Sequence, residues 1–519
     1  MLDRLKSEPG PFDILIIGGG ATGVGIAIDS ASRGYRTLLL EAGDFGKGTS
    51  SRSTKLVHGG VRYLEQGNIS LVKHALRERA VLRRNASHLV SELPFAIPSY
   101  HWWERPYYGV GLKFYSLLAG EERFGETRIL SREQTIERVP TVNPEGLRGG
   151  VLYCDGQFDD ARLLIHMAAT AAEQGAIVLN YLRVTGLTKN GHGRLDGVLA
   201  RDDETGETFS PRAKVVINAT GPFTDFIRKL ADPEAAPIVS PSQGVHIVLD
   251  RSFLPGDCAL MIPRVEKGRV LFAIPWLEHT VVGTTDTAIP CVVEEPSAAK
   301  REVEFLLDRA GKYLKNKPLR SDILSIFVGI RPLVKAPNRR NTAQLSRDHV
   351  ILTDDSGLLT ITGGKWTTYR QMAEDCVNRA AALEKLPARP CVTQSLRIHG
   401  AQSPKPELGH LGSFGTDAEF VRKLVAADPE LATPLSPSLP YLEAEVVWAT
   451  RHEMARTVED VLCRRTRSLF LNARAAMDCA PRVARIMASE LGQNAEWQQA
   501  QLEELRKTAA HFTTQDATA

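Results

Sequence analysis

The sequence is short of most features that mark a specialised chain. Cysteine is scarce: 7 residues in 519 (Cys154, Cys258, Cys291, Cys376, Cys391, Cys463, Cys479), odd in number, scattered and without a CxxC pair. That pattern excludes a disulfide framework and a structural zinc site, and predicts free thiols in a reducing compartment. No apolar run approaches the roughly 18 residues that a spanning helix requires. The N-terminus carries Asp3 and Glu8 and lacks an apolar core, so neither a signal nor a transit peptide is expected. One-sided charge is missing too, with 64 Lys+Arg against 61 Asp+Glu and a net charge of +3. Nothing there resembles a nucleic-acid footprint. His452-Glu453 begins like HExxH, but Arg456 stands where the second metal ligand belongs, so no metal is expected. The short basic run Arg464-Arg465-Thr466-Arg467 reads as a solvated or ion-paired helix face. What remains is a globular, cytoplasmic-type protein, long enough for two or three domains.

Phe12 to Ile17 is an apolar run followed by Gly18-Gly19-Gly20-Ala21-Thr22-Gly23 and a small-residue helix to Arg33. Gly34 caps that helix, and Arg36 to Leu40 is a second buried strand ending in Glu41. This is a β-α-β unit of a parallel sheet. A helix from Asp160 to Gln174, a strand at Ile177 to Tyr181 and a buried strand at Ala213 to Asn218 continue the α/β character. Between them, Asn190-Gly191 and Thr205-Gly206 predict an antiparallel meander. Residues 236–334 hold short β-rich runs broken by Pro and Gly. Helical periodicity takes over from Glu443, with Val447, Met454, Val458 and Val461 on one face. The expected fold is α/β: a Rossmann-like dinucleotide-binding domain, an antiparallel β substrate or cap domain, and an α-helical C-terminal domain. The expected boundaries are 1–90, 151–235 and 335–390 for the first, 91–150 and 236–334 for the second, and 391–519 for the third.

GxGxxG is weak alone, but here it follows a strand, opens a helix and precedes an acidic residue at the next strand's end. Gly18 allows the tight turn, Gly20 lets backbone approach a pyrophosphate, and Gly23 permits close helix–sheet packing. The pyrophosphate would sit on the helix N-terminus, where N–H groups and the dipole favour negative charge. Glu41 would accept hydrogen bonds from the adenosine ribose. The meander, the late strand ending in Ala219-Thr220-Gly221, and the lack of a second fingerprint favour FAD over NAD. The first domain is therefore expected to be a Rossmann-like FAD-binding domain of the two-dinucleotide-fold flavoprotein type.

Residues 49–65 read Thr-Ser-Ser-Arg-Ser-Thr-Lys-Leu-Val-His-Gly-Gly-Val-Arg-Tyr-Leu-Glu. With Asp159-Asp160-Ala161-Arg162-Leu163, Asn218-Ala219-Thr220-Gly221-Pro222, Ile274-Pro275-Trp276 and Gly283-Thr284-Thr285-Asp286, this resembles the FAD-dependent glycerol-3-phosphate dehydrogenases of the D-amino-acid-oxidase-like superfamily. Gly329-Ile330-Arg331-Pro332-Leu333, Gly363-Gly364-Lys365-Trp366-Thr367-Thr368-Tyr369-Arg370 and residues 451–466 extend the resemblance in the same order over nearly the whole chain. It implies oxidation of sn-glycerol 3-phosphate to dihydroxyacetone phosphate with noncovalent FAD, and electrons passed to a membrane quinone. An oxidase passing electrons to O2, and a related flavin-binding protein with another ligand, stay open. The implied setting is peripheral attachment to the inner face of the cell membrane. A homodimer is compatible with the sequence.

For the cofactor, the matching positions are Gly18, Gly20, Thr22, Gly23 and Glu41 in the fingerprint, and Thr49, Ser50, Ser51, His58 and Gly59 in the loop. Ala219 and Gly221 follow the late strand, and Gly363, Gly364, Lys365, Trp366 and Thr367 follow the last one. A buried phosphate dianion needs a cationic fork. Arg331, after the apolar run 326–329, is the first candidate and Arg62 the second. Hydride transfer from the substrate's C2 requires a base for its hydroxyl proton. His246 matches the family's substrate-site histidine, with Lys365 as the alternative base or orienting cation. Tyr63 and Thr285 are expected to hydrogen-bond substrate hydroxyls. Residues 95–124 hold nine aromatics with Arg105, Lys113 and Arg123 among them. They suit either a bilayer anchor or a cover for the pocket and cap.

Overall fold

The computed structural model describes residues 1–8, 10–61, 64, 67–263, 270–335, 349–402 and 409–514. Two sheets organise the molecule. The first has six strands in the order His349–Thr353, Leu359–Gly363, Ala213–Asn218, Phe12–Ile17, Thr37–Leu40 and Ile177–Leu179. All neighbours run parallel except the outermost pair, 349–353 with 359–363. Its strands read as continuous apolar runs because both faces are covered. Ile14 and Ile16 pack on one side with the helices Ala21–Ser32, Asp160–Glu173 and Tyr369–Leu383; Leu15 and Ile17 pack on the other with Leu182, Val184 and Val198 of the meander. The meander is the antiparallel sheet Leu182–Lys189, Leu195–Asp202 and Thr208–Phe209.

The second sheet has ten strands, mostly antiparallel, and is the cap. At its centre Val239–Asp250 pairs with Ser325–Val334 on one side and His279–Gly283 on the other. Gly149–Phe158 belongs to this sheet along its whole length, paired with Val90–Ser99 from Ser99↔Gly149 to Val90↔Phe158. The expected boundary at 150/151 therefore cuts through a cap strand. An isolated apolar run carries no record of which sheet it joins. Leu56–Val57, from the hydroxyl-rich loop, pairs with Gly156 and Gln157 and stitches that loop to the cap.

The C-terminal region is helical: Ala418–Ala427, Glu443–His452, Ala473–Leu491 and Ala495–Ala510, with a small hairpin at 434–442. The single helical face expected over Val447, Met454, Val458 and Val461 is broken. The helix stops at His452, Met454 turns to φ 55°, and Thr457 starts a new turn by accepting from Asp460 N at 3.2 Å. Asp460 in return accepts from the N–H groups of Arg456 and Thr457, so the break is itself hydrogen-bonded. Among the described residues no helix is long and apolar enough to cross a membrane.

Candidate active site

A cavity of about 1390 Å³ runs from the C-terminal ends of the parallel strands to the central cap strands. At the sheet end its wall is the fingerprint turn. Gly18 has φ 111°, and a Cβ there would stand 2.7 Å from the Ala219 carbonyl oxygen, so only glycine lets the two strand ends meet. A Cβ on Gly23 would strike the Gly18 carbonyl, so a side chain there would push the helix off the turn. Gly20 caps the helix without a side chain, leaving its first N–H groups to other partners; Ala21 N donates to Ser50 Oγ at 3.0 Å. Glu41 accepts from Gly19 N at 2.5 Å and Gly43 N at 2.8 Å, and burial pushes its carboxyl upward. A vacated glycine turn, an unblocked helix N-terminus and a fixed acidic acceptor at the next strand's end fit a dinucleotide.

The loop 44–58 forms the second wall. Thr49 Oγ1 donates to the Ile330 carbonyl at 2.6 Å, and Trp366 Nε1 donates to the Ser50 carbonyl at 2.8 Å. Thr22, Thr49, Ser50 and His58 line the cavity, as do Ala219, Gly221, Gly363, Gly364, Lys365, Trp366 and Thr367. Gly23, Ser51 and Gly59 do not. Ser51 is buried and offers its carbonyl inward to Lys55 Nζ at 2.7 Å, while Gly59 N donates to Tyr115 Oη at 2.9 Å. Their part is to support the wall. His58 is tied by its backbone to Thr367 Oγ1, N to O, at 3.2 Å.

At the cap end, the antiparallel pair sets Arg331 opposite Ser242 and His246 opposite Phe327. Both Arg331 and His246 line the cavity. The Arg331 guanidinium is held from behind: Nη1 donates to the Gln243 carbonyl at 3.3 Å, and Nη2 to Thr284 Oγ1 and the Thr285 carbonyl at 3.1 Å each. His246 lies flat on Phe327, with ring centroids 4.6 Å apart, and its Nε2 is 3.0 Å from Thr54 Oγ1. Its Nδ1 is buried without a hydrogen-bond partner. A Cβ on Gly283, directly opposite in the sheet, would overlap the imidazole, so that glycine makes the ring's place. Burial first, then Lys55 and Arg331, hold His246 well below its ordinary pKa, which keeps it neutral.

Thr285 lines the cavity, but its hydroxyl donates to Glu302 Oε1 at 2.8 Å and accepts from Val245 N at 2.9 Å. Its single donor is spent, so only acceptor capacity is left for a substrate hydroxyl. Arg62 and Tyr63 lie outside the described residues. Sequence reasoning missed Thr54, Lys55 and Asp160. Lys55 is wholly buried, 2.8 Å from Asp160, with its ammonium 4.8 Å from the Phe327 ring centroid; burial brings its pKa down to about 7. A lysine amid hydroxyl residues and an Asp at a helix start were the available signals. Neither showed that the two would meet.

Residues 13–370 match the FAD dependent oxidoreductase family, and residues 359–501 match the C-terminal domain of alpha-glycerophosphate oxidase. The mitochondrial glycerol-3-phosphate dehydrogenase of Rattus norvegicus is 42% identical over 96% of this chain and 73% of its own length. The Arabidopsis thaliana mitochondrial enzyme is 42% identical over 92% of this chain and 83% of its own. Among solved structures, the Bacillus halodurans glycerol-3-phosphate dehydrogenase complexed with FAD has a TM-score of 0.80 at 30% identity, covering 98% of this chain and 97% of that one. The Mycoplasma pneumoniae L-alpha-glycerophosphate oxidase with FAD bound shares the fold at TM-score 0.59 and 19% identity, over 75% of this chain and 99% of that one. The glycine cradle, the cap pairing and these matches agree: the chain belongs to the FAD dependent oxidoreductases, as a member of the glycerol-3-phosphate dehydrogenase family.

Proposed function

We propose that the protein oxidises sn-glycerol 3-phosphate to dihydroxyacetone phosphate and delivers the electrons to a membrane quinone. The observation that carries the reaction is the placing of Arg331 and His246 on adjacent cap strands, both facing the cavity whose far end is the dinucleotide cradle. Bound FAD supplies the hydride acceptor. Arg331, braced by Gln243, Thr284 and Thr285 and lining the cavity, is the cation for the substrate phosphate. His246 is neutral before substrate arrives, and Nε2, beside Thr54, takes the C2 hydroxyl proton. The incoming phosphate dianion offsets the repulsion from Arg331 and Lys55, which raises the imidazole's affinity for that proton. Lys365, lining the same cavity, orients the reacting oxygen or serves as the base in its stead. Arg62 and Tyr63 complete the substrate set in this reading.

A lipid-soluble acceptor is supported by the outer face of the helix Glu104–Leu118. Tyr108, Leu112 and Tyr115 turn inward, whereas Tyr107, Val110, Phe114 and Leu117 are exposed at helical spacing, Val110 at 72% and Leu117 at 74%. Trp102, just before the helix, is exposed as well. In this reading the inner face packs the cap and the outer face meets the bilayer. An apolar stripe of this kind, with Lys113 beside it, suits shallow insertion among lipid headgroups on the inner face of the cell membrane. Tyr153, which lines the cavity, meets Tyr115 of the helix's inner face edge to face, with ring centroids 6.4 Å apart, so the helix packs against the cavity's wall. Turnover of glycerol 3-phosphate in vesicles, assayed with a quinone analogue and with air alone, tests the acceptor. Quinone reduction with little peroxide is expected; stoichiometric peroxide unaffected by quinone would replace this reading with the oxidase.

A further inference from the structure

The basic run Arg464-Arg465-Thr466-Arg467 is neither solvated nor on a surface: the three arginines are 1%, 3% and 1% exposed. They reach from the C-terminal region into the loop that walls the cofactor cavity. Arg465 holds the Asp44 carboxylate with two bonds, of 2.6 and 3.0 Å, and Arg464 Nε donates to the same carboxylate. Arg464 also donates to Glu459 at 2.9 Å and Asp460 at 2.7 Å. Arg467 Nη2 donates to the Ser51 carbonyl at 2.8 Å and to Asp160 Oδ1 at 3.2 Å, sharing both acceptors with Lys55. The stretch 44–55 is therefore tied down at Asp44 and at Ser51. Between those ties lie Thr49 and Ser50 on the cavity wall, and just beyond them Thr54 beside His246.

The C-terminal region also reaches the cavity directly. Arg456, Thr457, Trp497 and Gln501 line the same cavity. They stand at the Glu41 end: the Tyr181 hydroxyl donates to Asp460 at 2.6 Å, and Tyr181 N donates to the Gly43 carbonyl at 3.0 Å, next to Glu41. Gln501 Oε1 accepts from Val458 N at 3.1 Å, one turn along the helix from Trp497. Arg456 makes an exposed two-pronged bond to Glu204 of the meander, at 2.8 and 3.0 Å. The C-terminal region thus lines the Glu41 end of the cavity and is bonded there to the meander.

We propose that the C-terminal helical domain is a clamp on the cofactor. Arg464, Arg465 and Arg467 fix the loop that covers the phosphate-bearing half of FAD, and Arg456 with Trp497 closes the cavity over the adenosine half. This rests on Glu41 marking the adenosine end. The clamp sets how long FAD stays bound; none of these residues touches the reacting atoms, so their role is to position.

FAD release from the purified holoenzyme, followed as growth of free-flavin fluorescence after dilution, tests the clamp. Trp497→Ala and Arg456→Glu should each speed release at least about fivefold, with the far-UV circular dichroism spectrum unchanged. Combining Arg456→Glu with Glu204→Arg should bring release back towards the wild-type rate, which mere loss of packing would not do. Arg467→Lys, which keeps a cation but cannot span both acceptors, should also speed release. Wild-type release rates in Trp497→Ala and Arg456→Glu, or a charge swap that fails to rescue, would overturn the closure. An unchanged rate in Arg467→Lys would overturn the tie on the loop.

Discussion

Arg331 and His246 share one strand pair but are built for opposite electrostatic tasks. Arg331 lines the cavity with its guanidinium fixed by Gln243, Thr284, Thr285 and, at 3.6 Å, the Asp286 carboxylate, so a phosphate meets a cation that is already placed. Arg331→Ala should lower kcat/KM for glycerol 3-phosphate roughly 100-fold, about 3 kcal/mol of charge-assisted bonding, with far less effect on glycerol. Parallel steady-state kinetics on the two alcohols checks this, and equal losses would remove the phosphate assignment. For His246, burial and the nearby cations lower its pKa in the free enzyme. The acid limb of kcat/KM should therefore lie below the range of an ordinary imidazole, and the limb of kcat should lie higher once the phosphate is bound. His246→Asn should lower kcat roughly 10²- to 10⁴-fold and abolish that limb. A limb that persists in the variant would move the base to Lys365. His246 and Arg331 were legible from their motifs. Thr54, Lys55 and Asp160 were not, because Lys55 and Asp160 meet across 105 positions of sequence and nothing local records such a pairing.

At the scale of elements, the strands that hold the cofactor could be read from their unbroken apolar runs, and the meander from its turn residues. Phe12–Ile17 and Ala213–Asn218 lie where the runs place them. The break after His452 could not be read, because Val447, Val458 and Val461 are all buried although they belong to separate helical pieces. The basic run is ion-paired, as one of its two readings had it, but buried rather than on a face. Its partner was not legible because Asp44 lies 420 positions from Arg464. Two elements carry tests of their own. On the helix Glu104–Leu118, Val110→Glu with Leu117→Glu should abolish cosedimentation with vesicles while leaving the spectrum of the bound flavin intact; retained sedimentation would remove the bilayer assignment. His399 joins the C-terminal segment to the helix Asp160–Glu173, with Asp417 at 2.7 Å and Glu173 at 2.5 Å. The bond to Asp417, set against partial burial, and then Glu173 raise its pKa to about 9. A histidine with a raised pKa stabilises the fold fully below its unfolded value of about 6.5, and that contribution fades as pH climbs through about 9. The gap in Tm between wild type and His399→Gln should accordingly be widest near pH 6 and close by about pH 10; a gap independent of pH would show that the charge is not what matters.

Over the whole molecule, two sheets and a helical region converge on one cavity. The parallel sheet provides the glycine turn and the acidic acceptor, the cap provides the cation and the imidazole, and the C-terminal region holds the loop between them. Near-balanced charge and the lack of a spanning helix among the described residues confine the proposed membrane contact to a local patch, which bulk composition could not reveal. The most direct measurement is anaerobic titration of the holoenzyme with glycerol 3-phosphate, followed in the visible absorbance of the flavin. Bleaching complete at one equivalent of substrate per flavin, with colour restored by a quinone analogue, is the predicted result; an absorbance unmoved by glycerol 3-phosphate would contradict the account.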